Sequence, residues 1–216
     1  MNLKKLGLNS NEIRSFKKLN SPIKVQDYLD KCKINFELDG IDTFWPPRIV
    51  LEKKQCHCAE AAAFAAACIW INEIGKPLFV RMFATEDDWD HAICVFKINN
   101  KWGAISKSNH SVLRYRDPVY SNIHELVMSY FHEYTDEKNK GNKTLRKYAL
   151  VNLEFFGNSW LASKENLWDI IIHFRKIKHK KVITKKQLEF LRRADKISIL
   201  AGNLTEWTKH GKKIYP

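Results

Sequence analysis

The sequence predicts an α+β fold: a central alanine-rich helix packed on an antiparallel sheet, followed by a helical C-terminal extension. Three observations carry that prediction. Residues 58–74 contain Ala59, Ala61, Ala62, Ala63, Ala65, Ala66 and Ala67, so the helix they form is small on nearly every side. Small side chains let neighbouring elements approach closely, which suits a buried position. After Gly75 the apolar period changes from 3.6 to 2, and beyond a polar stretch at residues 136–142 helix start signals return at Ser163 and Thr184.

Each element has its own local reason. Asn9, with Glu12 three residues on, is a capping box for a short helix to Leu19. Ser21-Pro22 places proline at the first helical position after a cap and starts an amphipathic helix to about Lys31. Residues 35–47 have no period, and Trp45-Pro46-Pro47 marks an ordered loop, so the chain is expected to reach Cys58 without a helix. The alanine-rich helix then starts at Cys58 and stops before Gly75 and Pro77. Residues 78–84 read as a strand, 85–90 as an acidic loop and 91–98 as a second strand. Asn99-Asn100 is a tight turn, 101–107 a returning strand and 112–115 a candidate fourth. Asp117-Pro118 signals a helix to about Tyr134, and 136–142 a polar linker. Ser163 is expected to cap a helix to about Ile177. Thr184 and Gln187 form a capping box, stapled by Ile183 and Leu188, for a last helix ending near Gly211. Its stripe of Leu188, Leu191, Ile197, Leu200, Leu204 and Trp207 is expected to dock on the rest of the chain.

At 216 residues the chain can bury one core with an appended subdomain; the division expected is residues 1–150 and a basic extension, 151–216. A hydrophobic content of 44% and an aromatic content of 12% exclude a disordered chain. The first eight residues contain no apolar run of signal-peptide length, and the most apolar stretch, 59–71, includes Glu60 and is too short to span a bilayer. Five cysteines make no even framework, which suits a reducing compartment. A soluble, cytoplasmic protein without membrane contact is therefore expected. The net charge is +13, and residues 151–216 hold 14 Lys and Arg against 6 Asp and Glu. Such a surface attracts polyanions or acidic partners. Nucleic-acid binding, however, has no recognition helix, zinc-finger spacing or RNA-binding aromatic motif behind it.

The chemistry-bearing residues are Cys58 and His91. A cysteine at a helix N-terminus sits where unpaired N–H groups and the helix dipole favour a thiolate. A histidine brought beside it from a strand start can take the thiol proton and make the sulfur a nucleophile. Cys56 is the competing thiol; Cys68 and Cys94 lie in apolar segments and read as core, and Cys32 has no partner in the sequence. Cys56-His57-Cys58 with His91 or His110 could offer soft ligands to zinc, but structural zinc sites use spaced pairs, and no metal or cofactor is expected. His57, His110, His124 and His132 read as surface or polar-core residues. Gln55 is a candidate oxyanion-hole donor alongside the Cys58 N–H. Trp89 reads as a packed indole or, alternatively, a cleft wall.

Cys58-Ala59-Glu60-Ala61-Ala62, followed by His91-Ala92-Ile93 and Trp102, resembles the nucleophile and histidine motifs of the transglutaminase-like, papain-like cysteine superfamily. The resemblance covers about residues 20–135. Residues 102–110 and 114–120 are similar to bacterial proteins described only as transglutaminase-like. It implies a papain-like core within residues 1–150 and a cysteine hydrolase or acyltransferase acting on a protein or peptide. The alternative it leaves is an inactive interaction domain on the same fold. Family members place an aspartate four residues after the tryptophan to orient the histidine; here position 106 is serine. Hairpin arithmetic from Asn99-Asn100 puts Ser106 on the His91 face and Asn109 on the other, whereas the Cys-His-Asn chemistry of papain-like enzymes favours Asn109. Both remain candidates, and Asp90 is expected to point away from His91.

Overall fold

The structure, a computed structural model, describes residues 6–136 and 140–214. Helices α1 (Ser10–Lys18) and α2 (Pro22–Lys31) lead into the two-residue strand β1 (Lys33–Ile34). After a loop come α3 (Pro47–Lys53), β2 (Gln55–Cys56) and α4 (Cys58–Ile71). Strands β3 (Leu78–Phe83), β4 (His91–Ile98), β5 (Lys101–Ser106) and β6 (Arg116–Tyr120) precede α5 (Ile123–Met128) and β7 (Lys147–Asn152). The chain closes with α6 (Ser159–Ala162), α7 (Trp168–Lys176), β8 (Lys180–Lys181), α8 (Lys185–Leu188) and α9 (Lys196–Gly202). Six strands form one antiparallel sheet in the order β6-β5-β4-β3-β7-β8, and β1 pairs with β2 in parallel.

The sheet is covered on both faces. On one, Phe79, Cys94, Phe96 and Ile105 pack with the α4 alanines and with Phe174 of α7. On the other, Val80, Ile93, Val95 and Ala104 meet Leu126, Tyr130, Phe131 and Tyr134. This explains why β4 is apolar at nearly every position, with residues 91–96 all buried. Among the described residues no helix is long and apolar enough to cross a membrane.

Local signals act where expected in the first half. Asn9 and Glu12 close a capping box on α1, and Ser21 accepts from Lys24 N at the start of α2. Asn99 and Asn100 take positive φ values of 48° and 62°, and Ile98 stands opposite Lys101. That is the turn whose twist matches the flanking strands.

Other elements differ, each for a physical reason. Pro47 opens α3 at a position where its missing N–H costs nothing, so a helix does precede Cys58. Pro118 lies in β6, the sheet edge, where a strand tolerates proline; the helix begins instead at Asn122, whose side chain accepts from Glu125 N. Residues 112–115 are not a strand. Gly103 is the residue that lets β6 approach, since a Cβ there would lie 2.8 Å from Arg116 O and 2.5 Å from the Phe96 ring. Strand β7 was not expected at all, and the boundary expected at residue 150 falls inside it. Of the linker expected at 136–142, residues 137–139 lie outside the described residues; Asp136 folds the rest, accepting from Lys140 N and Gly141 N.

The C-terminal third departs most. Ser163 turns back on Glu165 and caps no helix, so α7 starts at Trp168. The long helix expected from Thr184 breaks into α8 and α9 because Asp195 starts a new one, accepting from Ser198 N. Leu200 and Leu204 remain 67% and 51% exposed, and only Trp207 of the stripe is buried. Backbone pairing rather than an apolar stripe attaches this segment: Ser111 N donates to Leu204 O and Glu206 N to Asn109 O.

Candidate active site

Cys58 is the first residue of α4, and three groups from distant segments converge on it. The sulfur is partly exposed. It lies in hydrogen-bonding range of two imidazoles, His91 at the start of β4 and His57 immediately before it. Burial opposes its charge, but the two rings outweigh that and hold the thiol well below its usual range. The opposite holds at Cys56: it is fully buried, and a shared hydrogen bond with Cys32 and burial push its thiol well up. Cys68 and Cys94 are likewise buried, and desolvation raises both. Cys58 is thus the thiol placed and charged for attack.

His91 is 5% exposed, and its Nε2 lies 2.8 Å from Ser106 Oγ. The Ser106 hydroxyl donates its proton to Leu113 O at 2.5 Å, so it must accept from His91. Nε2 therefore carries the ring proton, and Nδ1 is left as the basic nitrogen toward Cys58. Ser106 is itself locked. Gln26 of α2 clamps its backbone from both sides, accepting from Ser106 N at 3.0 Å and donating to Ser106 O at 2.8 Å. Leu113 N donates to Glu133, whose other oxygen pairs with Arg116. The register explains why Ser106 reaches His91: Ile93 stands opposite Ser106, so His91 is its diagonal neighbour on one face.

Asn109 is elsewhere. Its amide accepts from Trp207 N at 2.8 Å and donates to Trp207 O at 3.1 Å, anchoring the C-terminal segment. Asp90 points away from His91, to Arg81 and Ala84 N. Trp89 is 73% exposed rather than packed. The side chains of Cys56, His57 and Cys58 diverge, which is no knuckle for zinc, and no group of three or more metal-ligating side chains occurs among the described residues. Alanine at position 106 should accordingly slow alkylation of Cys58 at least about fivefold through loss of one net hydrogen bond, whereas Asn109→Ala should leave the rate unchanged and expose residues 205–214 to proteolysis. Mass-resolved alkylation of the two variants checks both.

His57 and Glu60 are what sequence reasoning underrated. Glu60 is fully buried and accepts from Thr43 Oγ1 at 2.7 Å, Trp45 N at 3.0 Å and His57 N at 2.9 Å, with Asn35 Nδ2 at 3.3 Å. It pins the loop before α3 against the start of α4. The loop in turn holds His57, whose Nε2 is 2.9 Å from Thr43 O, 3.4 Å from Glu60 Oε1 and 3.7 Å from Glu37 Oε1. Burial works against a charge on this ring, but the hydrogen bond to Cys58 and the field of Glu60 prevail and hold it up at about 9. The 3.2 Å contact from Ala59 N to Nδ1, which asks for a neutral ring, is the one that yields once the thiol ionises.

Gln55 also adjoins the site. One of its Nε2 protons goes to Ile34 O at 3.1 Å, leaving the second. With Asn35, Thr43 and Trp45 it lines one side of a cavity of about 430 Å³ whose other side is Lys209 and His210. A larger cavity of about 660 Å³, between Gly7 and residues 156–170, contains none of these groups. Tyr134 is buried with its hydroxyl unpartnered among the described residues; burial first, then the negative charges of Cys58, Asp88 and Asp90, keep it un-ionised. No protein-family model matches the chain, and no curated protein matches its sequence.

Proposed function

We propose that the chain is a transglutaminase-like cysteine hydrolase or acyltransferase with a papain-like core, acting on an amide or ester of a peptide or protein in the cytoplasm. One observation carries this reading: a buried histidine whose Nε2–H is fixed by Ser106, beside a low-pKa cysteine at a helix start. Cys58 attacks the substrate carbonyl carbon, forming a C–S bond and a tetrahedral oxyanion near the Cys58 N–H and Gln55. His91 Nδ1 takes the thiol proton and returns it to the leaving nitrogen or oxygen as the original bond breaks. Water or an amine then attacks the thioester, with His91 as base, and Cys58 is released. The cavity beside Gln55 gives the substrate chain a place to lie. A non-catalytic interaction domain is the second reading, favoured by the serine at position 106, which cannot stabilise an imidazolium as a carboxylate does.

Incubation with p-nitrophenyl acetate tests the first. One acetyl group should appear on the Cys58 peptide, with p-nitrophenolate released, and added amine should discharge it. Cys58→Ser should remain unlabelled. Acetylation confined to Cys56 or to lysines would sink the proposal.

A further inference from the structure

The negative charge in this site stands behind the wrong histidine for a simple Cys-His-acid arrangement. Ser106 is neutral, and the chain offers His91 no carboxylate there. His57, by contrast, has two: Glu60 Oε1 from α4 at 3.4 Å and Glu37 Oε1 from the loop at 3.7 Å, with Thr43 O at 2.9 Å. Both carboxylates are held. Glu60 takes the donors given above, and Glu37 Oε1 accepts from Thr43 N at 2.5 Å and Thr43 Oγ1 at 3.0 Å. Glu37 does so from a left-handed backbone, φ 51°, a conformation a non-glycine residue adopts at a cost. The other face of the His57 ring is in hydrogen-bonding range of Cys58.

Building on the reading above, we infer that His57 is a permanent imidazolium beside the Cys58 sulfur, with Glu60 and Glu37 supplying the negative charge that Ser106 denies to His91. Duties are then divided between two histidines. His57 donates Nε2–H to Thr43 O and Nδ1–H toward sulfur, and it neither gains nor loses a proton during turnover. His91 alone carries the proton from Cys58 to the leaving group. The charges around the sulfur are complete in this count: two imidazoles, one thiolate and two carboxylates, from β4, α4 and the loop before α3. A cation beside the thiolate stabilises the reactive state directly, and in a partly desolvated site it does so more strongly than in water. This accounts for a nucleophile that stays ionised without an aspartate on its base.

His57 also caps α4, so its charge must be separated from its structural part. His57→Asn keeps a good N-cap acceptor and removes the charge. The measurement is the pH profile of Cys58 alkylation by iodoacetamide, resolved by peptide mass. His57→Asn should raise the apparent thiol pKa by about one unit, so labelling below that pKa slows about tenfold; Glu37→Gln should shift it in the same direction by less. Imidazole nitrogen NMR of the wild-type protein should show both His57 nitrogens protonated at neutral pH, a signature a mere cap would not give. A His57→Asn profile superimposed on wild type, or a neutral His57 ring, overturns this inference. If His91→Ala nonetheless slows labelling, the thiol-acyl reading survives that failure; if it does not, both fall.

Discussion

Replacing His91 by alanine should slow alkylation of Cys58 at about pH 6 by roughly a hundredfold or more, the range of a lost general base. The physical ground is the proton's route. Cys58 is held well below the usual thiol range, with His91 the largest of the charges that lower it. An ordinary thiol near 8.5 is mostly protonated at that pH, losing about tenfold in thiolate for each unit below its pKa. The sign follows: wild-type reactivity should persist as pH falls toward the depressed pKa, and the variant's should decline along the ordinary thiol curve. His91 is a small part of the core, so the variant should fold. Near-identical rates in the two proteins, with intact folding by circular dichroism, would remove His91 from the site.

Glu60→Ala should be the most damaging change to stability near the site. It strands Trp45 N, His57 N and Thr43 Oγ1, all of which donate to a carboxylate with no solvent exposure. Removing one partner of such a buried charged cluster costs about 3–5 kcal/mol. For a chain of this size that corresponds to a melting temperature lower by about 6–15 °C. The loop from Asn35 to Trp45 should also become protease-sensitive, because Glu60 is its tie to α4. Glu37→Ala, at a partly exposed carboxylate, should cost no more than about 1 kcal/mol. Scanning calorimetry of the two variants compares them. Equal melting temperatures would mean that the Glu60 cluster is not what fastens the loop.

Some of this was written in short stretches of sequence. The boxes at Asn9–Glu12 and Ser21-Pro22, the alanine-rich run after Cys58 and the Asn99-Asn100 turn each act within a few residues, so their outcome is independent of the rest of the chain. Because the turn sets the register, the diagonal placement of Ser106 against His91 was legible too. Tertiary structure decided the remainder. Strand β7 exists because β3 offers it an edge from far away in sequence, and Pro118 sits in a strand because that strand is the sheet's border. Asn109 has the better chemistry for holding an imidazole, yet Trp207 claims both ends of its amide. His57 looked like one more surface histidine until the loop carrying Glu37 and Thr43 folded back over it. Helix caps and turns are local energies that neighbours settle between themselves. The electrostatics of a thiol are a sum over whatever the fold brings within a few ångströms, and only the fold chooses those groups.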